Sequence, residues 1–202
     1  KSNHARKITV TPAIPLYGRS ADNLRDHRHV TSLLHRIETM ENGICCKPVL
    51  SFDERGHQRN DMIYYVLGSD ENGDKPEGFF PTVESFIGES GSFIAPEAVA
   101  YKKKGCKAGT SFDGKEAVGA FAFPEVTLES GAQKEYIVVS GMAESRNEVT
   151  RTAEAFHTKA QTDEAFAKTK TYWNQLVNIS FETGDPKEDN YLKWICFQPI
   201  LR

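Results

Sequence analysis

The chain has 202 residues, 39% of them hydrophobic and 26% charged, with a formal net charge of −3. That length suffices for one domain with a real core, or a domain with a short appendage. The charge leaves no basic footprint for nucleic acid or an anionic membrane, and no apolar run approaches the ~20 residues that span a bilayer.

Strand patterns fill the first three quarters. Lys7 to Ile14 alternates through Ile8 and Val10 to Pro12, which predicts a short strand or strand edge. Val30, Leu33, Leu34 and Ile37 fit helical spacing, but Glu41-Asn42-Gly43 is a turn signal with a strand pattern after it. A long hairpin from Thr31 to Phe52 is the reading adopted. Met62 to Leu67 is a strand by propensity, and Gly68 to Gly78 reads as a solvated loop. From Val118 the chain puts Val118, Ala120 and Ala122 on one face and Phe121 and Phe123 on the other. After a break at Pro124 come Val126 and Leu128, a turn at Glu129–Ala132, and a strand from Tyr136 to Val139. Together these predict a further hairpin.

The hydrophobic period then changes. Val149, Ala153 and Phe156 mark one helix. Phe166, Tyr172, Trp173, Leu176 and Val177 mark a second, opened by Thr162 or Asp163. Pro186 opens a third, through Tyr191, Leu192, Trp194, Ile195 and Phe197. The predicted division is a β-sandwich over 1–143 and a helical linker over 144–202. The first residue is Lys1, and the last apolar face meets no stop signal before Arg202. A truncated or processed chain is therefore expected.

Cys45, Cys46, Cys106 and Cys196 form no C-x-x-C pair. Adjacent Cys45 and Cys46 point to opposite faces of a strand, so free thiols in a reducing cytosol are expected. The densest polar run is Tyr17 to His29. It holds Arg19, Asp22, Asn23, Arg25, Asp26, His27, Arg28 and His29. Carboxylates and amides suit vicinal sugar hydroxyls, and Arg forks fix orientation or take an anion such as phosphate. The same residues would equally make a salt-bridge network that ties down a loop. His27 and His29 share a strand face, but Leu33 and Leu34 stand where a cupin-like metal site needs Glu, so no metal is expected. Asp53 and Glu54 are adjacent and face opposite ways, a poor acid/base pair. Lys102-Lys103-Lys104 reads as a solvated loop. Trp173 and Trp194 read as core packing rather than sugar stacking.

Several stretches resemble the N-terminal region of glycoside hydrolase family 94, the inverting β-glucoside phosphorylases. Glu84 to Ala98, with Phe86-Ile87-Gly88 and then Pro96, is similar to the family's Phe-Leu-Gly stretch and following Pro-hydrophobe pair. Leu128-Glu129-Ser130-Gly131 resembles its L-x-P-G strand connection. Tyr172-Trp173 and Trp194-Ile195-Cys196-Phe197-Gln198 resemble its linker helices, where Trp-Leu-x-Tyr-Gln is usual. The polar run Gly18 to His29 and Ser51 to Gly56 are most similar to the 1,2-β-oligoglucan phosphorylase branch.

The resemblance implies a mainly β fold, an antiparallel supersandwich followed by linker helices that lead into an (α/α)6 barrel. It implies phosphorolysis of a terminal β-glucosidic bond with inversion, giving α-glucose 1-phosphate. Inorganic phosphate is then a co-substrate and no cofactor is needed. Direct displacement requires one carboxylic acid, because phosphate replaces the base-activated water of an inverting hydrolase. By resemblance that acid lies in the barrel, so no catalytic residue is expected here. The implied partners are a β-glucan oligosaccharide, phosphate, the rest of the polypeptide and a second protomer. Loops of the sandwich would line the substrate entrance, with Arg19 to His29 as the candidate. The competing reading is a non-catalytic carbohydrate-binding or assembly module.

Overall fold

Alternating side chains dictate a layered molecule. A computed structural model describes residues 3–16, 32–53 and 56–201. The strands are β1 (Arg6–Ile8), β2 (Ala13–Leu16), β3 (His35–Met40), β4 (Gly43–Pro48), β5 (Leu50–Asp53), β6 (Gly56–Arg59), β7 (Ile63–Asp70) and β8 (Gly78–Thr82). Two short helices follow, α1 (Val83–Ile87) and α2 (Glu97–Ala100). Then come β9 (Ser111–Asp113), β10 (Ala117–Ala122), β11 (Val126–Leu128) and β12 (Tyr136–Ala143). The chain continues through α3 (Arg146–Ala155), α4 (Lys159–Leu176) and α5 (Pro186–Phe197).

Two antiparallel sheets carry the core. One is ordered β12-β7-β4-β3-β9 and the other β2-β10-β8, with the small ribbons β1-β11 and β5-β6 beside them. Strand parity assigns each side chain to a layer. Ile44, Cys46, Val66, Phe79, Phe121 and Phe123 meet between the sheets. On the outer face of the five-stranded sheet, Cys45, Tyr65 and Leu67 pack under Val149 and Ala153 of α3. On the outer face of the three-stranded sheet, Phe80, Val118, Ala120 and Ala122 pack under Phe86 and Ala98. The predicted split of residues 118–123 between two faces is thus realised, with a buried layer on both.

The sheets approach closely at two glycines. A Cβ on Gly68 would lie 2.1 Å from the Phe121 ring, and one on Gly119 would lie 2.3 Å from the Val66 side chain. Each sheet therefore leaves a notch for a side chain of the other. The four cysteines are free, and Cys45 and Cys46 do face opposite layers. Burial pushes the Cys45 thiol up to about 11 and the Cys46 thiol up to about 12, so both are inert at neutral pH.

The hairpin predicted over Thr31 to Phe52 is realised as the shorter β3–β4 pair, turning at Glu41-Asn42 and spanning His35↔Pro48 to Met40↔Gly43, while Leu50–Asp53 pairs with β6 instead. The later hairpin is not formed. β11 pairs with β1, while β12 pairs with β7 along its whole length, Tyr136↔Asp70 to Ala143↔Ile63. Eight residue pairs with a long central strand outweigh three with a short neighbour. Gly68, Ser69 and Asp70 belong to β7 and are buried, so the solvated loop begins later than its composition predicts. Helix α4 starts at Lys159, not at Thr162 or Asp163. The Lys159 N–H is taken by Glu71 O at 3.0 Å, a tertiary acceptor that no local cap signal reveals.

Contacts divide the chain into residues 1–159 and 160–202. Helix α3 belongs to the first unit, on the sandwich. In the second, Asp185 caps α5 by accepting from Lys187 N at 2.8 Å. That helix ends at Phe197. Neither α4 nor α5 has a fully buried residue. Trp173 and Trp194 each pack edge-on or tilted against Phe197, with centroids 5.6 and 6.4 Å away, but Trp194 remains 56% exposed. The predicted core role of these indoles is therefore corrected to a partly open aromatic cluster. Among the described residues no helix is long and apolar enough to cross a membrane.

Candidate functional site

The sequence Thr82-Val-Glu-Ser85 is a helix start written in side chains. Thr82 Oγ1 accepts from Ser85 N at 3.1 Å, and Thr82 N donates to Ser85 Oγ at 3.2 Å, a reciprocal cap. This cap stops β8 and starts α1 at one point, where a cleft opens. Two adjoining cavities of about 570 and 360 Å³ form it. Their walls are α1, the loop through Gly88 to Ser90, Glu97, Lys103, Phe112 and the Gly114–Glu116 turn, with Ser32 at the edge.

Gly88 shapes the cleft wall. Its φ of +75° and ψ of −175° belong to a region that only glycine occupies readily. A Cβ there would sit 2.1 Å from the Glu97 carboxylate. Glu97 accepts from Ser90 N at 3.1 Å and from Lys103 Nζ at 2.8 Å. Lys103, read from sequence as one of a solvated trio, thus has a partner of its own. Gly88→Ala is expected to destabilise the chain by about 1–3 kcal/mol through backbone strain, measured by chemical denaturation. It should also release Glu97 from Lys103.

Two carboxylates of the cleft are paired with lysines. Lys115 Nζ lies 2.9 Å from Glu84, and this bond holds the Glu84 carboxyl below its usual range. The Lys103 bond, then the Ser90 N–H, does the same for Glu97. Both carboxyls are ionised at neutral pH, so neither is suited to donate a proton to a leaving group. What remains is a hydrogen-bonding surface of hydroxyls (Thr82, Ser85, Ser90), carboxylates and ammonium groups.

His35 lies beneath the adjoining turn. It is buried, and Nδ1 is 3.2 Å from Lys115 O. Burial lowers its pKa, against the Lys115 carbonyl and the Glu116 charge. The Nε2 atom has no hydrogen-bond partner among the described residues.

The predicted polar run, with Arg19, Asp22, Asn23, Arg25, Asp26, His27, Arg28 and His29, lies outside the described residues. So do the Asp53 side chain and Glu54. The residues that flank the run are described. Leu16 is buried opposite Ala117 at the start of β10, and Ser32 shares the smaller cavity with Lys115 and Glu116. Both flanks therefore meet the chain at 115–117, on the rim of the cleft. Sequence reasoning missed Thr82, Glu84, Glu97, Lys103 and Lys115. The T-x-x-S cap was readable, but the Glu–Lys pairs join residues 6 and 31 positions apart.

A two-sheet antiparallel sandwich, helix-covered on both outer faces and bearing a cleft in which Glu84 and Glu97 are paired with lysines, defines a β-sandwich domain. Over residues 1–159 the sequence matches the Glycosyl hydrolase 94 supersandwich domain, so the chain belongs to that family of glycoside phosphorylases. A search of curated proteins returned no significant match. The matched span coincides with the first of the two compact units.

Proposed function

We propose that this chain is the supersandwich and linker segment of an inverting phosphorylase that converts β-1,2-oligoglucans and phosphate to α-glucose 1-phosphate. In this reading the segment shapes the substrate entrance or a homodimer interface, and the barrel supplies the acid. The observation that carries it is the family match joined to the cleft. The rim of that cleft receives both flanks of the polar run, whose mix of Arg, Asp, Asn and His suits sugar hydroxyls and phosphate. The ionised state of Glu84 and Glu97 supports a binding rather than a bond-breaking role for this surface.

The test uses the intact enzyme with phosphate and short β-glucans, reading glucose 1-phosphate. Phosphorolysis of β-1,2-linked substrates in preference to β-1,3- and β-1,4-linked ones is expected. Arg25→Ala and His27→Ala are expected to lower kcat/KM at least about tenfold, the loss of one or two charge-assisted hydrogen bonds. Unchanged KM and kcat in both variants would remove the polar run from the site. Absence of phosphorolysis on every linkage would remove the reaction.

A further inference from the structure

The two sheets end in four outer strands, and three of these are guarded. β9 is three residues long and carries Asp113, and β2 holds Pro15. β8 holds Pro81, and its Phe79 exchanges backbone bonds with Cys106 on its open side. Such devices keep exposed strand edges from pairing with other chains. β12 has none of them. Tyr136-Ile-Val-Val-Ser-Gly-Met-Ala143 contains no charge and no proline, and its register with β7 runs through all eight pairs without a bulge. That register also fixes which backbone groups point outward. Glu71 N donates to Glu135 O at 3.2 Å, so the odd-numbered residues of β12 are the ones that bond to β7. The N–H and C=O groups of Tyr136, Val138, Ser140 and Met142 therefore face away from β7, and no strand among the described residues takes them. Two side chains of the same set, Val138 and Met142, are 38% and 60% exposed. Helix α3 covers the sheet face rather than this edge. Its Val149 and Ala153 pack over Cys45, Tyr65 and Leu67, and its Arg146 reaches Glu38 of β3.

We infer that β12 pairs antiparallel with β12 of a second copy of this chain, about a two-fold axis at Ser140, and so joins the two five-stranded sheets into one. Outward-facing residues bond only to outward-facing residues, so the two numbers of an opposed pair are both even or both odd. A two-fold contact also needs a stretch that complements itself, residue i meeting j and j meeting i. Val138 and Met142 lie two residues to either side of Ser140. With the axis there, each exposed apolar side chain stands opposite the other one of the second copy, and Ser140 stands opposite itself. Val139 then meets Gly141, and Ile137 meets Ala143, so no two charges within the strands oppose one another. An axis at Val139 would instead set Val138 against the Ser140 hydroxyl. This symmetric spacing favours a second copy over a strand of a different protein. The inference rests on the homodimer of the proposed function and gives it a surface.

Sedimentation equilibrium and cross-linking of the intact protein test it. The parent is expected to be a dimer. Ser140→Cys should give a disulfide-linked dimer on mild oxidation, because residues opposed in a bonded pair have Cα atoms ~5.5 Å apart, within disulfide reach. The parent, with Cys45 and Cys46 buried, should give none. The double variant Val138→Lys with Met142→Lys sets like charges opposite one another across the axis and should weaken dimerisation at least about tenfold. Val138→Lys with Met142→Glu sets unlike charges there and should restore it. A monomeric parent would overturn the pairing. So would a dimer equally strong in both double variants, or one that Ser140→Cys does not cross-link. Slow amide exchange at Val138, Ser140 and Met142 in a monomer would give the edge to another strand and overturn it too. Should a double variant not fold, Ser140→Cys decides. These measurements read association and not phosphorolysis, so the pairing can fail while the proposed reaction stands.

Discussion

Replacing Phe121 by Ala will destabilise the chain by about 3–5 kcal/mol, the cost of a large core cavity. Phe121 is fully buried between the sheets, edge-on to Phe79 at 6.5 Å and to Phe123 at 5.7 Å. The notch at Gly68 is occupied by this ring, so no neighbouring side chain stands behind it to collapse into the space. Domains of this size hold only about 5–15 kcal/mol in total. The loss will therefore show as a large fall in the denaturant midpoint with little change in slope. A loss below about 1 kcal/mol would mean that the two sheets are not packed as described.

The second large effect lies at Asp70, where β7 ends. Its carboxylate accepts from Asn72 N at 2.8 Å and from Asp74 N at 2.9 Å, and pairs with Lys134, which also reaches Glu71 at 3.0 Å. The Asp70 and Lys134 side chains are only 6% and 17% exposed. Removing the Asp70 carboxylate leaves the partly buried Lys134 with Glu71 alone and takes the acceptor from the Asn72 and Asp74 N–H groups. Asp70→Ala should thus cost about 3–5 kcal/mol by denaturation.

Burial by itself would raise the Asp70 carboxyl. The Lys134 bond, with the two backbone N–H groups, outweighs that and lowers it. A carboxyl lowered in the folded state binds fewer protons there than when unfolded. Its contribution to stability is therefore complete above about pH 4, the ordinary Asp value, and fades as pH falls through the folded value. The urea midpoint of the parent should fall between pH 6 and pH 3, and by less in Asp70→Asn. Equal falls in both proteins would place the acid sensitivity elsewhere.

The strands legible in the sequence were those with unbroken alternation. Residues 117–123 sort into two buried faces as their spacing requires, and Glu41-Asn42 makes the turn that its composition signals. Partners were less legible. Pro124 separates β10 from β11, and the β12 strand was free to choose any edge. It took β7 because that strand offers eight matched residues, information distributed over positions 63–70 and 136–143. The start of α4 depended in the same way on a carbonyl at Glu71.

The candidate site divides along the same line. Thr82 and Ser85 are three residues apart, so their reciprocal cap could be read locally. Gly88 against Glu97 and Glu84 with Lys115 instead join residues of different elements.

By itself, then, the sequence determined the element types, the faces of the central strands and, through its short motifs, the family. Those properties depend on neighbours within a few positions, where backbone sterics and the alternation of side chains act directly. Only the tertiary structure decided which strands pair, where charge is neutralised and where polar groups are left open. Each of these depends on burial and on distances between residues far apart in the chain, and local chemistry does not encode either one at a single position.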